Sequence, residues 1–236
     1  AGGAHAGDPS TILRTAELAV GHGVAIGAHP GYPDLAGFGR RDLDMTAEEL
    51  RASIVVQVGA VIAGARPLLR TLAAARNDRV VYLGSGLLQG LAREASLKLG
   101  ELTNGAVVTC FDSPLGFRHG PKTFVTDDTL VIVFVSNDPY TRRYDHDLID
   151  ELRRDGCAAR VVEISAQPRA GALDDTLAVP GLERAEDVDL LWPYVAAAQI
   201  YALLHSLERG VTPDNPNPAG IVNRVVQGVQ LYALDA

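Results

Sequence analysis

Three charged side chains in the middle of the chain stand at helical spacing. Glu94, Lys98 and Glu101 are separated by four and three residues, so one face of a helix would carry all three. They could form an ordinary surface ion pair, or an acid–base group beside a cation. Proton transfer and stabilisation of a developing oxyanion both use these residue types. Spacing alone does not decide between the two.

A second charged group follows within the next two predicted elements. Arg118, His119 and Lys122 lie within five residues of one another, in a loop rich in glycine and proline. Lys98 and Lys122 are the two lysines among 21 basic residues. We predict that acid, base and cation converge at the carboxyl edge of a sheet, as proton transfer on an anionic sugar would require.

A glycine-rich turn stands directly before the predicted helix. Gly84, Ser85 and Gly86 follow an apolar run, and free backbone N–H groups at the start of a helix suit an anion. A tight strand-to-helix turn without a ligand is the alternative. Gly90 comes one position late for the dinucleotide-binding fingerprint, so we expect no nicotinamide cofactor, and we predict no other cofactor or metal.

Apolar runs alternate with helical patterns from residue 79 onward. Buried strands are predicted for RVVYL (79–83), AVVTC (106–110), TLVIVFV (129–135) and ARVVEIS (159–165), and helices for 87–102, 146–156 and 187–209. Fully apolar strands between helices predict an α/β fold with a doubly wound, flavodoxin-like parallel sheet.

The first 66 residues have a different rhythm. A helix is predicted at 11–21, a short strand at 24–28, and a long loop up to Arg41. Thr46 and Glu49 form a capping box before a further helix. We place a domain boundary near residue 66, which divides the chain into residues 1–66 and 67–236.

The composition argues against several classes of partner. The formal net charge is −8 and basic residues form no run, so nucleic acid is not an expected partner. No apolar run approaches the roughly 20 residues of a membrane span, and the first residues lack a signal-peptide pattern. Cys110 and Cys157 are too few for a disulfide framework, which predicts two buried, reduced thiols in a cytoplasmic protein.

Four strings in the C-terminal part carry a family resemblance: RVVYLGSGLLQGLAREASLKLGELTNG, DSPLGFRHGPKTF, VSNDPYTRRYDHDL and TPDNPNPAGIVNRVVQGVQLY. Over residues 79–232 the chain resembles the second SIS (sugar isomerase) domain of the tagatose-6-phosphate ketose/aldose isomerase family, whose members include galactosamine-6-phosphate deaminase/isomerases. The resemblance implies a phosphorylated sugar or amino sugar as substrate. The implied reaction is an aldose–ketose isomerisation or a deamination with isomerisation.

The resemblance also implies roles for individual residues. Glu101 would move the proton between C1 and C2, and Lys98 would stabilise the developing oxyanion. His119 would assist ring opening and reach into the site of the neighbouring protomer, and Arg224 would lie over the substrate. The substrate-binding positions that we predict are Gly84, Ser85, Gly86, Glu94, Ser113, Arg118, Lys122 and Ser136.

Two departures from the family bear on this site. Family members carry two SIS domains, and the first, whose loops bind most of the sugar phosphate in relatives, has no counterpart in this sequence. Gly100 stands inside the helix where leucine is usual, which costs about 1 kcal/mol of helix propensity. We therefore predict a homodimer in which a second copy replaces the first domain, through an apolar face of helix 187–209 formed by Leu190, Leu191, Tyr194, Val195, Ala198, Tyr201 and Leu204.

Residues 2–66 resemble a different family, the 5-oxoprolinase components of the LamB/YcsF type, in the strings HAGDP, GAHPGYPD and GFGRR. His5, Asp8 and His29 are the matching polar positions, and such ligands could hold a divalent metal. The segment would be a partial α/β barrel, and about a quarter of the strands cannot close one, so we predict no catalysis here. Two alternatives to an isomerase stay open: a non-catalytic sugar-phosphate-binding module, and a component that handles 5-oxoproline.

Overall fold

The computed structural model describes residues 5–22, 29–41, 43–51, 53–54, 67–169, 174–179, 181–213 and 215–220, together with residues 228, 230 and 232. The predicted strand at 24–28 and the predicted site residue Arg224 lie outside the described residues. From Pro67 onward, the described helices and strands form an α/β unit around one parallel sheet.

The described part of the chain forms a sheet of five parallel strands: β1 (Arg79–Gly84), β2 (Val108–Asp112), β3 (Thr129–Phe134), β4 (Arg160–Ser165) and β5 (Thr176–Ala178). Their order is β2-β1-β3-β4-β5, the flavodoxin-like order of a doubly wound fold. The predicted fold class is confirmed. The strand order reverses between β1 and β3, and folds of this kind bind ligands at such a switch point, beyond the carboxyl ends of the strands.

The helices are α1 (Pro9–Gly21), α2 (Pro67–Ala74), α3 (Leu87–Leu102), α4 (Pro114–Arg118), α5 (Thr141–Asp155) and α6 (Asp187–Glu208), with a 3-10 helix at Pro121–Phe124. The sequence predicts α3 with these same bounds. Helix α5 begins at Thr141 rather than at His146, because the Asp138 carboxylate accepts a hydrogen bond from the Thr141 N–H (2.7 Å). The segment after β2, predicted as a loop, contains α4 and the 3-10 helix.

Alternate residues of the apolar strands face two separate cores. Val80 and Tyr82 of β1 pack with α2, α3 and α6, whereas Val81 and Leu83 pack with α4 and α5. All four side chains are fully buried. A sheet covered on both faces needs apolar side chains on both, and this is why the strands are continuous apolar runs in the sequence.

Helix α6 covers the first of these cores. Leu190, Tyr194, Ala198 and Tyr201 of the predicted dimer face are buried inside the domain, and Leu191, Val195 and Leu204 pack against the same core. That assignment of the dimer face is therefore wrong, because these side chains already cover the sheet. The large apolar side chains that α6 exposes are a different set: Val188, Trp192, Leu203 and Leu207.

By length and composition alone, α6 is the one described helix that could cross a membrane. Its most apolar window is 44% buried in the domain. A helix that packs on a sheet needs such apolar residues for its core contacts, so the signal is explained by the fold.

Both cysteines are free thiols, but they are half-buried rather than buried as predicted. Cys110 lies on β2, which is an edge strand of the described sheet. Cys157 follows the left-handed Gly156 that ends α5. Both positions lie at the margin of the second core, which is why neither thiol is fully covered.

The N-terminal part contributes α1 to the described structure, and residues 47–51 and 53–54 are also helical. The Asp8 carboxylate caps α1 by accepting a hydrogen bond from the Thr11 N–H (2.9 Å). The predicted capping box is also present: the Thr46 N–H donates to Glu49 Oε2 (2.8 Å), and the Glu49 N–H donates to Thr46 Oγ1 (3.2 Å). Leu13 of α1 packs against the first core of the sheet.

The hydroxyl of Tyr194 gives a direct test of this packing. It accepts a hydrogen bond from the Ala166 N–H (2.9 Å) and donates one to the Val135 carbonyl (3.0 Å). We expect Tyr194→Phe to lower the free energy of unfolding by about 1–3 kcal/mol, because both backbone groups lose their partner in a buried site. Urea denaturation at constant m-value measures this loss.

Tyr82 is the matched control. It is as fully buried as Tyr194, but its hydroxyl has no hydrogen-bond partner among the described residues. Tyr82→Phe should therefore leave stability within about 0.5 kcal/mol of the wild type, or raise it. Equal losses for the two variants would contradict the role given to the Tyr194 hydroxyl.

Candidate functional site

Helix α3 presents a charged outer face. Its Leu91, Ala95 and Leu99 side chains are buried in the first core. Glu94, Lys98 and Glu101 lie on the other side of the helix and therefore face solvent. Lys98 Nζ lies 2.8 Å from Glu101 Oε2 and 3.9 Å from Glu94 Oε1. The hydrogen bond to Glu101, followed by the attraction of the Glu101 and Glu94 charges, raises the pKa of Lys98 above its ordinary value.

This charged face is open to solvent. The side chains of Lys98, Glu94 and Glu101 are 37%, 41% and 45% exposed. An ion pair at such exposure stabilises a fold by only about 0–1 kcal/mol. The Lys98–Glu101 ion pair therefore contributes little to stability. Whether the two groups can act on a substrate depends on a partner that shields them from water.

The face lies far from the carboxyl edge of the sheet. Lys98 and Glu101 are 11 and 14 residues beyond Leu87, the first residue of α3, which is roughly 17–21 Å along a helix axis. A helix that follows a parallel strand runs back to the amino edge, so these two residues stand at that edge. The prediction that Lys98 and Glu101 converge with Arg118, His119 and Lys122 at the carboxyl edge is wrong for this reason.

Arg118 and Lys122 do not join them either. The Arg118 guanidinium lies 2.8 Å from the Glu151 carboxylate, and Lys122 Nζ lies 2.5 Å from both Glu151 Oε1 and Asp155 Oδ2. Hydrogen bonds from Lys122 lower the pKa values of Glu151 and Asp155. These contacts tie the segment after β2 to α5, on the sheet face opposite α3, so the predicted convergence of all the charges does not occur within one copy of the chain.

His119 and Ser113 stand at the two ends of α4. Ser113 is its N-cap, and its Oγ accepts a hydrogen bond from the Gly116 N–H (3.0 Å). A Cβ at Gly116 would lie 2.6 Å from Asp112 Oδ1, so a larger residue there would displace the Asp112 side chain. His119 ends the helix and is exposed. Its imidazole is accessible to a second molecule, whereas the Ser113 hydroxyl is engaged in capping.

The carboxyl edge of the sheet is occupied by the protein's own carboxylates. Ser85 Oγ donates to Asp145 Oδ1 (2.6 Å), and the Ser136 N–H donates to Asp145 Oδ2 (2.9 Å). Ser136 Oγ donates to Asp187 Oδ2 (2.6 Å), and the Asn137 N–H donates to Asp187 Oδ1 (2.7 Å). Two of the three serines that we predicted as substrate ligands, Ser85 and Ser136, are thus bound to carboxylates from α5 and α6.

The glycines of the turn have steric roles. A Cβ at Gly84 would lie 2.4 Å from the Leu88 carbonyl oxygen, so α3 can start only against a glycine there. Gly86 has a φ of 55°, in the left-handed region that favours glycine. At Gly100, in contrast, the nearest described atom to a Cβ would be Thr109 Oγ1, at 3.8 Å. The helix therefore has space for a larger side chain at this position, where leucine is usual in the family.

A cavity of about 530 Å³ opens beside this edge. It lies at the switch point between β1 and β3, between the start of α3 and the start of α6. Its lining is strongly acidic for a site expected to take a phosphate: Leu87, Asn137, Asp138, Ala185, Glu186, Asp187 and Val188.

Asp145 and Asp187 are the functional residues that the sequence reasoning missed. Asp145 is fully buried, and burial raises its pKa above the ordinary value for an aspartate. Its position gives a signal, because it shares one stripe with Leu148, Ile149 and Leu152 on the core face of α5. A carboxylate on an apolar stripe needs partners, and these are the donors described above.

The N-terminal polar positions do not assemble into a metal site among the described residues. The Asp8 carboxylate is engaged in capping α1. His5 is buried, and its ring lies 5.1 Å from that of His29 and 5.0 Å from that of Phe38. The close approach of His5 to Gly31 and Gly39 shows that the loop 29–41 folds around this ring.

Comparisons with known proteins find one family in the N-terminal part of the chain and another in the part that follows. Residues 1–74 match the LamB/YcsF family and residues 73–170 match the SIS domain. D-galactosamine-6-phosphate deaminase AgaS of Escherichia coli is 51% identical over 159 residues, which cover 67% of this chain and 41% of that protein. A 5-oxoprolinase component of Geobacillus kaustophilus is 59% identical over 61 residues, 26% of this chain and 24% of that protein.

A solved structure agrees with the sequence relatives. The tagatose-6-phosphate ketose/aldose isomerase of Escherichia coli aligns with a TM-score of 0.58 at 38% identity, over 75% of this chain and 54% of that one. The chain thus spans about half or less of each of these relatives. Residues 73–170 are thus similar to the SIS domain, and the segment that leads into them, residues 1–74, is similar to the LamB/YcsF family.

Proposed function

We propose that the chain acts on a phosphorylated amino sugar, as an aldose–ketose isomerase or a deaminase/isomerase, through the charged face of α3. The observation that carries the proposal is the contact of 2.8 Å between Lys98 and Glu101, which sets a carboxylate beside an ammonium group. The names of the relatives, a galactosamine-6-phosphate deaminase and a tagatose-6-phosphate isomerase, support this substrate class.

The two side chains have complementary tasks in such a reaction. In a 2-amino aldose, the Glu101 carboxylate removes the proton from C2 and returns it to C1, through an enolamine. Lys98 stabilises the negative charge that develops on the C1 oxygen. The product imine at C2 takes up water and releases ammonia, which leaves the ketose phosphate. With a hydroxyl at C2, the same proton transfer runs through an enediol and ends at the ketose.

A second copy of the chain is the proposed cover of this face. Proton transfer to carbon needs a site from which water is excluded, and the face of α3 is open. Trp192 on α6 is 80% exposed and Leu97 on α3 is 52% exposed. These two helices pack side by side, so their apolar side chains and the charged face form neighbouring surfaces. The predicted approach of His119 to Glu101 of the other copy does not follow from such a homodimer, because α4, which His119 ends, packs with α5 on the opposite sheet face.

The other finer assignments are also proposals. We place the boundary between the two parts near residue 66, because Leu69, Leu72 and Ala73 of α2 pack in the first core of the sheet. The match to the LamB/YcsF family extends further, to residue 74. Two free thiols support a cytoplasmic location.

Among the predicted ligands, Glu94 is the one that shares the exposed face with Lys98 and Glu101.

Glu101→Gln tests the proposed base. We expect the turnover of galactosamine 6-phosphate, followed as ammonia and ketose phosphate, to fall at least about 100-fold, because an amide cannot accept the C2 proton. Glu48→Gln is the matched control: Glu48 is also exposed, lies in the N-terminal part, and should leave kcat unchanged. Full activity in Glu101→Gln would remove this residue from the mechanism.

The same preparation separates an enzyme from a binding module. If the sugar phosphate raises the thermal stability of the protein while no ammonia and no ketose form, the chain binds without catalysis. Ligand at 100 times its Kd should stabilise the folded state by about 2.7 kcal/mol in either case. Stabilisation without turnover would therefore contradict the proposed isomerase and favour the module.

Light scattering tests the dimer. We expect the wild type to show twice the chain mass of 25.0 kDa, and Trp192→Glu to show a single chain, because a charge in a buried apolar contact is costly. Tyr140→Glu is the control: Tyr140 is 65% exposed and stands at the start of α5, on the opposite sheet face. A monomeric wild type, or a dimer that survives Trp192→Glu, would contradict the proposed interface.

A further inference from the structure

The carboxyl end of β3 gathers donors in the manner of an anion site. Two consecutive backbone N–H groups, those of Ser136 and Asn137, point to the same side as the hydroxyls of Ser85 and Ser136, since all four donate to the two neighbouring carboxylates. Successive N–H groups and hydroxyls at a strand end are what α/β folds use to hold phosphate. The donors stand at the switch point, where such folds bind ligands.

Two carboxylates take the place of the anion. Asp145 accepts from Ser85 and from the Ser136 N–H, and Asp187 accepts from the Ser136 hydroxyl and the Asn137 N–H, all at 2.6–2.9 Å. These are the lengths of charge-assisted hydrogen bonds. No donor of the set is left over for an incoming phosphate, and the exposed Asp138 and Glu186 add further negative charge to the cavity wall.

We infer that Asp187, with Asp145 behind it, is an internal substitute for phosphate that excludes the phosphate group of the substrate from this edge. Asp187 is thereby a specificity-determining residue. Because it excludes phosphate from the end of β3, a sugar phosphate can bind only at the charged face of α3, between this face and the molecule that covers it. The inference depends on the proposed function for the identity of the substrate. The exclusion of phosphate is a property of the fold that can be measured without turnover.

The two carboxylates differ in how far the fold depends on them. Asp145 is fully buried on the core face of α5 and joins β1 to β3 through its two oxygens. Asp187 is half-buried at the first position of α6 and can be removed with less disturbance. It is therefore the residue whose substitution should reopen the donors while the sheet stays intact.

The test is a titration of the full chain with inorganic phosphate, followed by the amide chemical shifts of Ser136 and Asn137. We expect no saturable shift in the wild type up to tens of millimolar. Asp187→Ala should show a saturable shift at both amides, with a phosphate Kd at least about tenfold lower than that of the wild type. The reason is that two donors, the Ser136 hydroxyl and the Asn137 N–H, are freed beside the Ser136 amide and one like charge is removed. Asp187→Asn is the second variant, for use if the alanine variant folds poorly. It keeps the side-chain shape and loses the charge, so its phosphate affinity should also be higher than that of the wild type.

Asp189→Ala is the matched control. Asp189 lies in the same first turn of α6, is exposed, and carries the same charge, so its loss should leave the Ser136 and Asn137 amides unresponsive. A saturable shift in the wild type would overturn the inference. So would a phosphate response that is absent from both Asp187 variants, or one that Asp189→Ala reproduces. Turnover of a sugar phosphate does not enter any of these outcomes, so a failure here is distinct from a failure of the proposed function.

Discussion

The polar groups at the carboxyl end of β3 have to be satisfied inside the protein, and much of the domain is arranged around that need. Ser136 and Asn137 are almost completely buried, and an unpaired N–H in such a place costs about 1–3 kcal/mol. Asp145 and Asp187 supply the acceptors. In doing so they connect β3 to the turn after β1, to α5 and to the start of α6, so four elements depend on two carboxylates.

The same arrangement bears on where the substrate can bind. The four donors described at this edge are already bound to two carboxylates, and the cavity beside them is lined by acidic residues. The charged face of α3 is turned outward because Leu91, Ala95 and Leu99 fill the core behind it. Lys98 and Glu101 are therefore exposed on α3, and α6, which packs beside α3, exposes Trp192. A second copy of the chain is the cover that we propose for this surface.

The sequence predicted the sheet and α3 well, because apolar runs and helical periodicity are local signals with strong physical causes. It could not predict where the charges meet. Lys98 and Arg118 are twenty residues apart in the chain, yet they lie on opposite faces of the sheet, since α3 packs on one core and α4 on the other. Asp145 was visible as a carboxylate on an apolar stripe, but its partners Ser85 and Ser136 come from other elements, and no local pattern identifies them.

A crystal structure of the chain with galactosamine 6-phosphate or tagatose 6-phosphate tests the central claim most directly. We expect the sugar to lie against the Lys98–Glu101 face at the boundary between two copies of the chain, with Asp187 still bonded to Ser136 and Asn137. A sugar phosphate bound at the Gly84–Gly86 turn, with Asp187 displaced from those two residues, would contradict it.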